Sequence, residues 1–237
     1  MLWISHQGES YDAPGNTMKA FRLAWERDSD GIELDIHLTS DKHVVCIHDA
    51  DTERVGDKNL VIAEESYEVL SKVDVGQGEK IPLLSQVLAE SPPGKLIYIE
   101  VKTGSEILPN LVEIINHSNV ATEDLRIIDF NNTNLKECKK ILPTMKTYLL
   151  ANIKSNDETN QLYPGVTELL TLASESKIDG FDLRACEKID KKFLSELDGE
   201  IVVWTINELN IANKFISYGV NAITSDRAAY LKNKLKK

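Results

Sequence analysis

A chain of 237 residues suits one α/β barrel or two small domains, and its 42% hydrophobic and 27% charged residues are ordinary for a globular protein. The formal net charge of −11 excludes a surface built for sequence-independent nucleic-acid binding. Its one basic block, the short Lys-rich C-terminus, instead complements a helix dipole. No apolar run is long enough to span a membrane. The opening Met1-Leu2-Trp3-Ile4-Ser5-His6 has neither a basic n-region nor a long apolar h-region, so a cytoplasmic protein is expected, although a secreted chain trimmed of its signal would begin the same way. Cys46, Cys138 and Cys186 lack metal-ligand spacing and cannot complete a disulfide set, as for core or half-buried thiols in a reducing compartment.

In chain order, Leu2–His6 reads as a strand and Met18–Arg27 as a helix capped by Asn16 or Thr17, with Phe21, Ala24 and Trp25 as its apolar stripe. Gly31–Leu38 is the second strand, and Val44–His48 reads as its extension. Residues 49–81 then break the rhythm with polar, Gly-punctuated sequence around a short helical patch at Glu64–Ser71, before a helix at Pro82–Leu88. A connection that long inside a compact domain is usually functional, and after a second strand it is expected over the C-terminal mouth of a barrel. Strands follow at Lys95–Val101, Leu125–Phe130, Lys146–Leu150, Gly180–Leu183, Ile201–Thr205 and Ala222–Thr224. Helices alternate with them at Ile107–Asn116, Thr133–Ile141, Val166–Ser176, Lys191–Leu197, Glu208–Tyr218 and Arg227–Lys236, the last two started by Asn207-Glu208 and Ser225-Asp226. Eight strands without a Gly-rich dinucleotide fingerprint predict a single TIM (β/α)8 barrel domain over residues 1–237, with an insertion at 49–81.

The chemistry begins in the second strand. Glu33 and Asp35 are two residues apart and share a face, while Ile32, Leu34 and Ile36 line the other. A solvated acidic edge and a cation site would both read this way; two adjacent carboxylates repel unless something positive lies between them, and converging hard oxygens are what Mg²⁺ or Ca²⁺ requires. Other strand ends add polar groups: His6 ends the first, His48 the extension of the second, and Glu100 and Lys102 the third. Each has a structural explanation alone, as a satisfied core histidine, a turn residue or a surface ion pair. Six of them at one end of one barrel do not. Glu33, Asp35 and Glu100 can hold one divalent cation that offsets charge on a phosphate, His6 and His48 can share general acid and base duty, and Lys102 can add a point charge.

The order of motifs resembles the glycerophosphodiester phosphodiesterase family. The matching segments are His6-Gln7-Gly8, Pro14-Gly15-Asn16-Thr17, Ile32-Glu33-Leu34-Asp35, His48-Asp49, Ile81-Pro82-Leu83-Leu84, Glu100-Val101-Lys102, Val203-Trp204-Thr205-Ile206-Asn207 and Ser225-Asp226. The resemblance covers nearly the whole chain and implies a barrel that hydrolyses glycerophosphodiesters to an alcohol and glycerol 3-phosphate. In that family the glycerol hydroxyl attacks phosphorus and water opens the resulting cyclic phosphate. Carried over, His6 and His48 are the acid and base, Glu33, Asp35 and Glu100 bind one Mg²⁺ or Ca²⁺, Lys102 contacts phosphate, and Trp204 forms an apolar wall beside the substrate.

Three positions depart from the family pattern. Gln7 stands for an Arg expected to bind phosphate, and Gly15 for a Glu; loss of both avoids an unpaired charge, which suggests that the two positions touch. Asp129 stands where Ser is frequent, and either favours a cationic head group or caps the next helix. A lyase ending at the cyclic phosphate, a degenerate barrel that binds phosphorylated ligands without turnover, and a glycosidase with carboxylates about 5 Å apart are the alternatives. The last leaves both histidines and Lys102 idle, and the intact histidines and carboxylates argue against the degenerate barrel. The expected partner is a small-molecule glycerophosphodiester, with neither nucleic acid nor an integral membrane association.

Overall fold

Strand and helix alternate throughout the computed structural model, which describes residues 1–159 and 161–235. The elements are β1 (Leu2–His6), α1 (Met18–Glu26), β2 (Gly31–Leu38), β3 (Val44–Cys46), α2 (Tyr67–Leu70), α3 (Leu84–Glu90), β4 (Leu96–Val101), α4 (Leu108–His117), β5 (Leu125–Asp129) and α5 (Asn132–Ile141). They continue as β6 (Lys146–Ala151), β7 (Lys154–Ser155), β8 (Leu162–Tyr163), α6 (Val166–Ser176), β9 (Gly180–Arg184), α7 (Lys191–Ser195), β10 (Glu200–Trp204), α8 (Leu209–Tyr218), β11 (Ala222–Ser225) and α9 (Ala228–Leu235). Lys236, the expected end of the last helix, lies outside the described residues, as does Lys237.

Eight strands, in the order β1, β11, β10, β9, β6, β5, β4, β2, pair in parallel, and the further pairing of β1 with β2 closes the TIM barrel. Closure gives every strand two buried faces, which is why all eight residues of β2 are buried. Ile32, Leu34 and Ile36 point outward into the main core, with Phe21 and Ala24 of α1, and Ile97, Ile99 and Val101 of β4. A second apolar cluster, Ile4, Tyr98, Ile128, Tyr148, Leu150, Val202 and Ala222, fills the barrel itself. Its interior is therefore packed below the site and opens only near the strand ends.

Three local expectations change. Val44–Cys46 does not extend β2; it turns back and pairs antiparallel to it, Ile36 opposite Cys46, because residues 39–43 form a tight turn in which the His43 N–H bonds Thr39 Oγ1. The hairpin β7–β8, absent from the sequence reading, interrupts the connection from β6 to α6. Asn16 is not the cap of α1: Thr17 is, accepting from the Ala20 N–H, and Asn16 turns inward. Within residues 49–81, Ile62, Leu70, Val73, Val75 and Ile81 build a small core against Val45 and Ile47 of the β3 segment. All three cysteines are free, and among the described residues no helix is long and apolar enough to cross a membrane.

Gly180 is required by close packing between β9 and β10, since a Cβ there would lie 2.3 Å from the Glu200 carbonyl oxygen. Gly180→Ala is expected to destabilise the fold by about 1–3 kcal/mol, read as a lower urea midpoint with an unchanged m-value. An unaltered midpoint would contradict the packing described.

Candidate functional site

Glu33 and Asp35 are only 3% and 1% exposed, so the solvated acidic edge is excluded. Because the isoleucines and leucine of β2 take the helix-facing side, both carboxylates project into the barrel. Parallel pairing places Asp35 opposite Glu100 of β4, and Glu33 opposite His6 of β1. One oxygen from each of Glu33, Asp35 and Glu100 falls within a group spanning no more than 4.8 Å.

One oxygen each of Glu33 and Asp35 is held by the loop between β1 and α1. Asp35 Oδ2 accepts from Gln7 Nε2 and Asn16 Nδ2, both at 2.8 Å, and Glu33 Oε2 accepts from the Gln7 backbone N–H at 3.1 Å. Asn16 Oδ1 in turn accepts from the Asp35 N–H. Glu33 Oε1 and Asp35 Oδ1 are buried without a hydrogen-bond partner. Carboxylates held by hydrogen bonds through one oxygen, with no hydrogen bond on the other, fit a hard divalent cation such as Mg²⁺ or Ca²⁺. Burial, then the charges of Asp35 and Glu100, push Glu33 well above the ordinary carboxylate range. Burial and Asp35 likewise push Glu100 up to about 7, despite the opposing charge of Lys102.

Lys102 Nζ donates to Glu100 Oε1 at 2.7 Å and lies 3.5 Å from Asp35 Oδ1 and 3.4 Å from His48 Nε2. Burial works to lower the pKa of this ammonium, but Glu100 and Asp35 override it and hold it above the usual lysine range. Each histidine is oriented by its own carboxylate. His6 Nδ1 donates to Asp226 Oδ1 at 2.7 Å, and Asp226 is braced by Asn207 Nδ2 at 2.6 Å and Ser10 Oγ at 3.1 Å. Burial acts to raise Asp226, yet these partners hold it below its ordinary range. His48 Nδ1 donates to Asp49 Oδ1 at 2.6 Å, with Arg54 Nε on the other oxygen at 2.6 Å. An ionised carboxylate on Nδ1 fixes the tautomer and turns Nε2 of each ring toward the cleft.

The cleft is lined by His6, Glu33, His48, Glu100, Lys102, Asp182 and Thr224, together with an apolar wall of Ile128, Phe130, Leu150 and Trp204. Phe130 and Trp204 meet edge to face with centroids 6.1 Å apart. The structure thus gathers His6, His48, Glu33, Glu100, Lys102 and Trp204 at the cleft, with Asp35 and then Gln7 directly behind it, whereas Asp129 is not among the lining residues. The Gln7 amide is taken by Asp35. Asp129 accepts from the Asn131 N–H at 2.7 Å and from Asn134 Nδ2 at 2.9 Å, so its carboxylate braces the start of α5; burial, against these bonds, raises it to about 6. Gln7 and Gly15 are neighbours, since a Cβ on Gly15 would lie 2.6 Å from Gln7 Oε1.

Sequence reasoning missed Asp226, Asp49 and Asn16 as site residues, and Asp182 and Thr224 altogether. Asp226 follows directly on β11, whose register with β1 pairs Ser5 with Ser225, so its place beside His6 was available from strand order once the barrel was assumed closed. Asp182 alternates with Phe181 and Leu183 in β9, which puts it inside the barrel by the rule already applied to Glu33. Burial, with Glu100 second, pushes the Asp182 carboxyl well above the ordinary range.

The glycerophosphoryl diester phosphodiesterase family matches this sequence over residues 6–229. A glycerophosphodiester phosphodiesterase of Caldanaerobacter subterraneus is 29% identical over 100% of this chain and 98% of its own length. An uncharacterized protein of Mycoplasma genitalium is 31% identical over 91% of each. Among solved structures, a glycerophosphodiester phosphodiesterase of Thermotoga maritima superposes with a TM-score of 0.79 at 25% identity, covering 99% of this chain and 98% of that one. An Oleispira antarctica phosphodiesterase in complex with the product sn-glycerol-3-phosphate has the same fold, with a TM-score of 0.84 at 21% identity and coverage of 99% and 96%.

The crowded carboxylates make the metal-free protein sensitive to pH. Glu100 keeps its proton up to about 7 when folded, against an ordinary glutamate value of 4.5. Between those values the folded chain binds more protons than the unfolded one, so stability falls as pH rises. Thermal melts in EDTA are expected to show Tm declining across that window, with saturating Mg²⁺ or Ca²⁺ flattening the decline and Glu100→Gln reducing it. A slope identical in Glu100→Gln and the native protein would contradict the assignment.

Proposed function

The chain belongs to the glycerophosphoryl diester phosphodiesterase family, and on that basis we propose that it hydrolyses small glycerophosphodiesters to an alcohol and glycerol 3-phosphate. One observation carries the reading: the buried Glu33 and Asp35, each with one oxygen that makes no hydrogen bond, and the half-buried Glu100 cluster with two carboxylate-oriented histidines at the mouth of one barrel. A glycosidase needs carboxylates alone and has no use for the paired histidines or Lys102.

In this proposal Glu33, Asp35 and Glu100 hold one Mg²⁺ or Ca²⁺, which when bound supplies Lewis-acid compensation for charge on the phosphate oxygens. Lys102 contacts a phosphate oxygen as a point charge. One imidazole Nε2 removes the proton from the substrate's attacking glycerol hydroxyl, whose oxygen bonds to phosphorus. The other imidazole protonates the departing alcohol oxygen as its bond to phosphorus breaks. Water then opens the cyclic phosphate with the two roles exchanged, leaving glycerol 3-phosphate. Asp226 and Asp49 keep each ring in the tautomer these transfers need. Trp204 forms the apolar side of the cleft, whereas Gln7 acts through Asp35 and positions that ligand. Asp129 takes no part in binding substrate. Residues 49–81 form an insertion in this one domain, and it supports His48 beside the mouth.

EDTA-sensitive release of glycerol 3-phosphate from glycerophosphocholine is the expected result. His6→Ala and His48→Ala should each lower kcat by roughly 10²–10⁴-fold while retaining the rise in Tm on adding Mg²⁺. Phosphate binding without turnover, or EDTA-insensitive cleavage of aryl glycosides, would overturn the proposal, and phosphorus NMR identifies a lyase by a cyclic end product. The departures at positions 7 and 15 have a separate readout. The paired change Gln7→Arg with Gly15→Glu should restore a cation and its counter-ion and lower KM; an unchanged KM would show that these positions do not govern phosphate affinity.

A further inference from the structure

Two polar atoms in the far wall of the cleft have no role in the chemistry above. β9 stands four strands from β2 whichever way the barrel is followed, so Asp182 lies on the strand opposite the carboxylate pair. Asp182 is 1% exposed and Thr224 2%; both line the cleft, and neither Asp182 Oδ1 nor Thr224 Oγ1 has a hydrogen-bond partner. On their own wall the neighbours are apolar, with Leu150 and Val202 in register on either side of Asp182 and Ile128, Phe130 and Trp204 in the lining, while Glu100 in the same cleft acts on Asp182 through its charge. Trp204 Nε1 donates to the Asp182 backbone carbonyl at 3.2 Å, which fixes the indole and leaves the carboxyl unclaimed. Leucine and valine would fill these two positions at lower cost to stability, because an unpartnered buried polar atom has lost its water and gained nothing.

We propose that Asp182 and Thr224 form a specificity subsite that hydrogen-bonds a hydroxyl of the substrate's carbon chain, in the wall of the cleft across from Asp35. The inference rests on the phosphodiesterase reading for the identity of that substrate. A hydroxyl satisfies either atom whatever the protonation of the carboxyl: an acid donates to it, a carboxylate accepts from it, and threonine does either. A quaternary ammonium has no N–H to offer and would leave Thr224 unpaired. The hydroxyl belongs either to the glycerol half or to the alcohol half of the diester, and two substrates separate these sources. Glycerophosphocholine has free hydroxyls only on glycerol, whereas glycerophosphoglycerol has them on both halves.

Thr224→Val and Asp182→Leu are expected to lower kcat/KM about tenfold, mostly through KM, while Asp182→Asn retains most activity because an amide still bonds a hydroxyl. Asp182→Leu should melt at or above the native Tm, the reverse of what a structural carboxyl would show. A loss on both substrates assigns the hydroxyl to glycerol, and a loss confined to glycerophosphoglycerol assigns it to the alcohol. Native kcat/KM for both substrates in Thr224→Val and Asp182→Leu overturns the subsite, as does a lowered Tm in Asp182→Leu with unaltered kinetics in Thr224→Val. Should the native enzyme cleave neither substrate, the phosphodiesterase reading fails, and the subsite is then decided by calorimetric binding of glycerophosphoglycerol to the native protein and to Thr224→Val. Equal affinities overturn it.

Discussion

Burying Glu33, Asp35 and Glu100 together is the constraint to which the rest of the site answers. Like charges in an enclosed, weakly polarisable space raise one another's proton affinity, and Lys102 beside Glu100 offsets part of that charge. The arrangement persists because each carboxylate is anchored by structure that other interactions already determine. Asp35 and Glu100 are brought together by the register of β2 with β4, and Glu33 is brought to His6 by the register of β1 with β2. Those registers follow from outward-facing apolar residues that must all reach the helix layer, since a slip of one residue would turn every one of them inward. The acidic cluster is thus held by hydrophobic burial on the opposite face of the same strands.

The barrel was legible because its signals repeat. Alternation within Gly31–Leu38 and helical spacing in Val166–Ser176 each match the observed bounds, and eight strand-like runs without a linker left little besides closure. The site was legible wherever a functional residue ended a strand, as His6 and Glu100 do, because parallel strands of a barrel deliver their C-terminal ends to one place.

What remained hidden depends on contacts rather than period. Val44–Cys46 has the composition of a strand but carries no mark of direction, so its reversal against β2 was unavailable. Asn16 is a good helix cap by residue type, and only the approach of Asp35 explains why Thr17 caps and Asn16 does not. Asp129 was ambiguous between the cleft and a helix start, and its bonds to Asn131 and Asn134 at the start of α5 could not be read from residue type alone. Asp182 and Thr224 were overlooked because an isolated polar residue in an apolar strand reads as an exception until its surroundings are seen.

The two histidines differ in what carries them. His6 ends a strand of the closed barrel, while His48 follows an antiparallel ribbon on the barrel's flank and takes its carboxylate, and the arginine behind that, from the first residues of the segment 49–81. One histidine is thus built into the barrel frame and the other into an appended module with its own small core of Ile62, Leu70 and Val73. The span between the groups can be retuned by altering that module alone. A change packed into that small apolar cluster is therefore felt first at His48 and Asp49, while His6 and the three carboxylates keep the positions that strand register gives them.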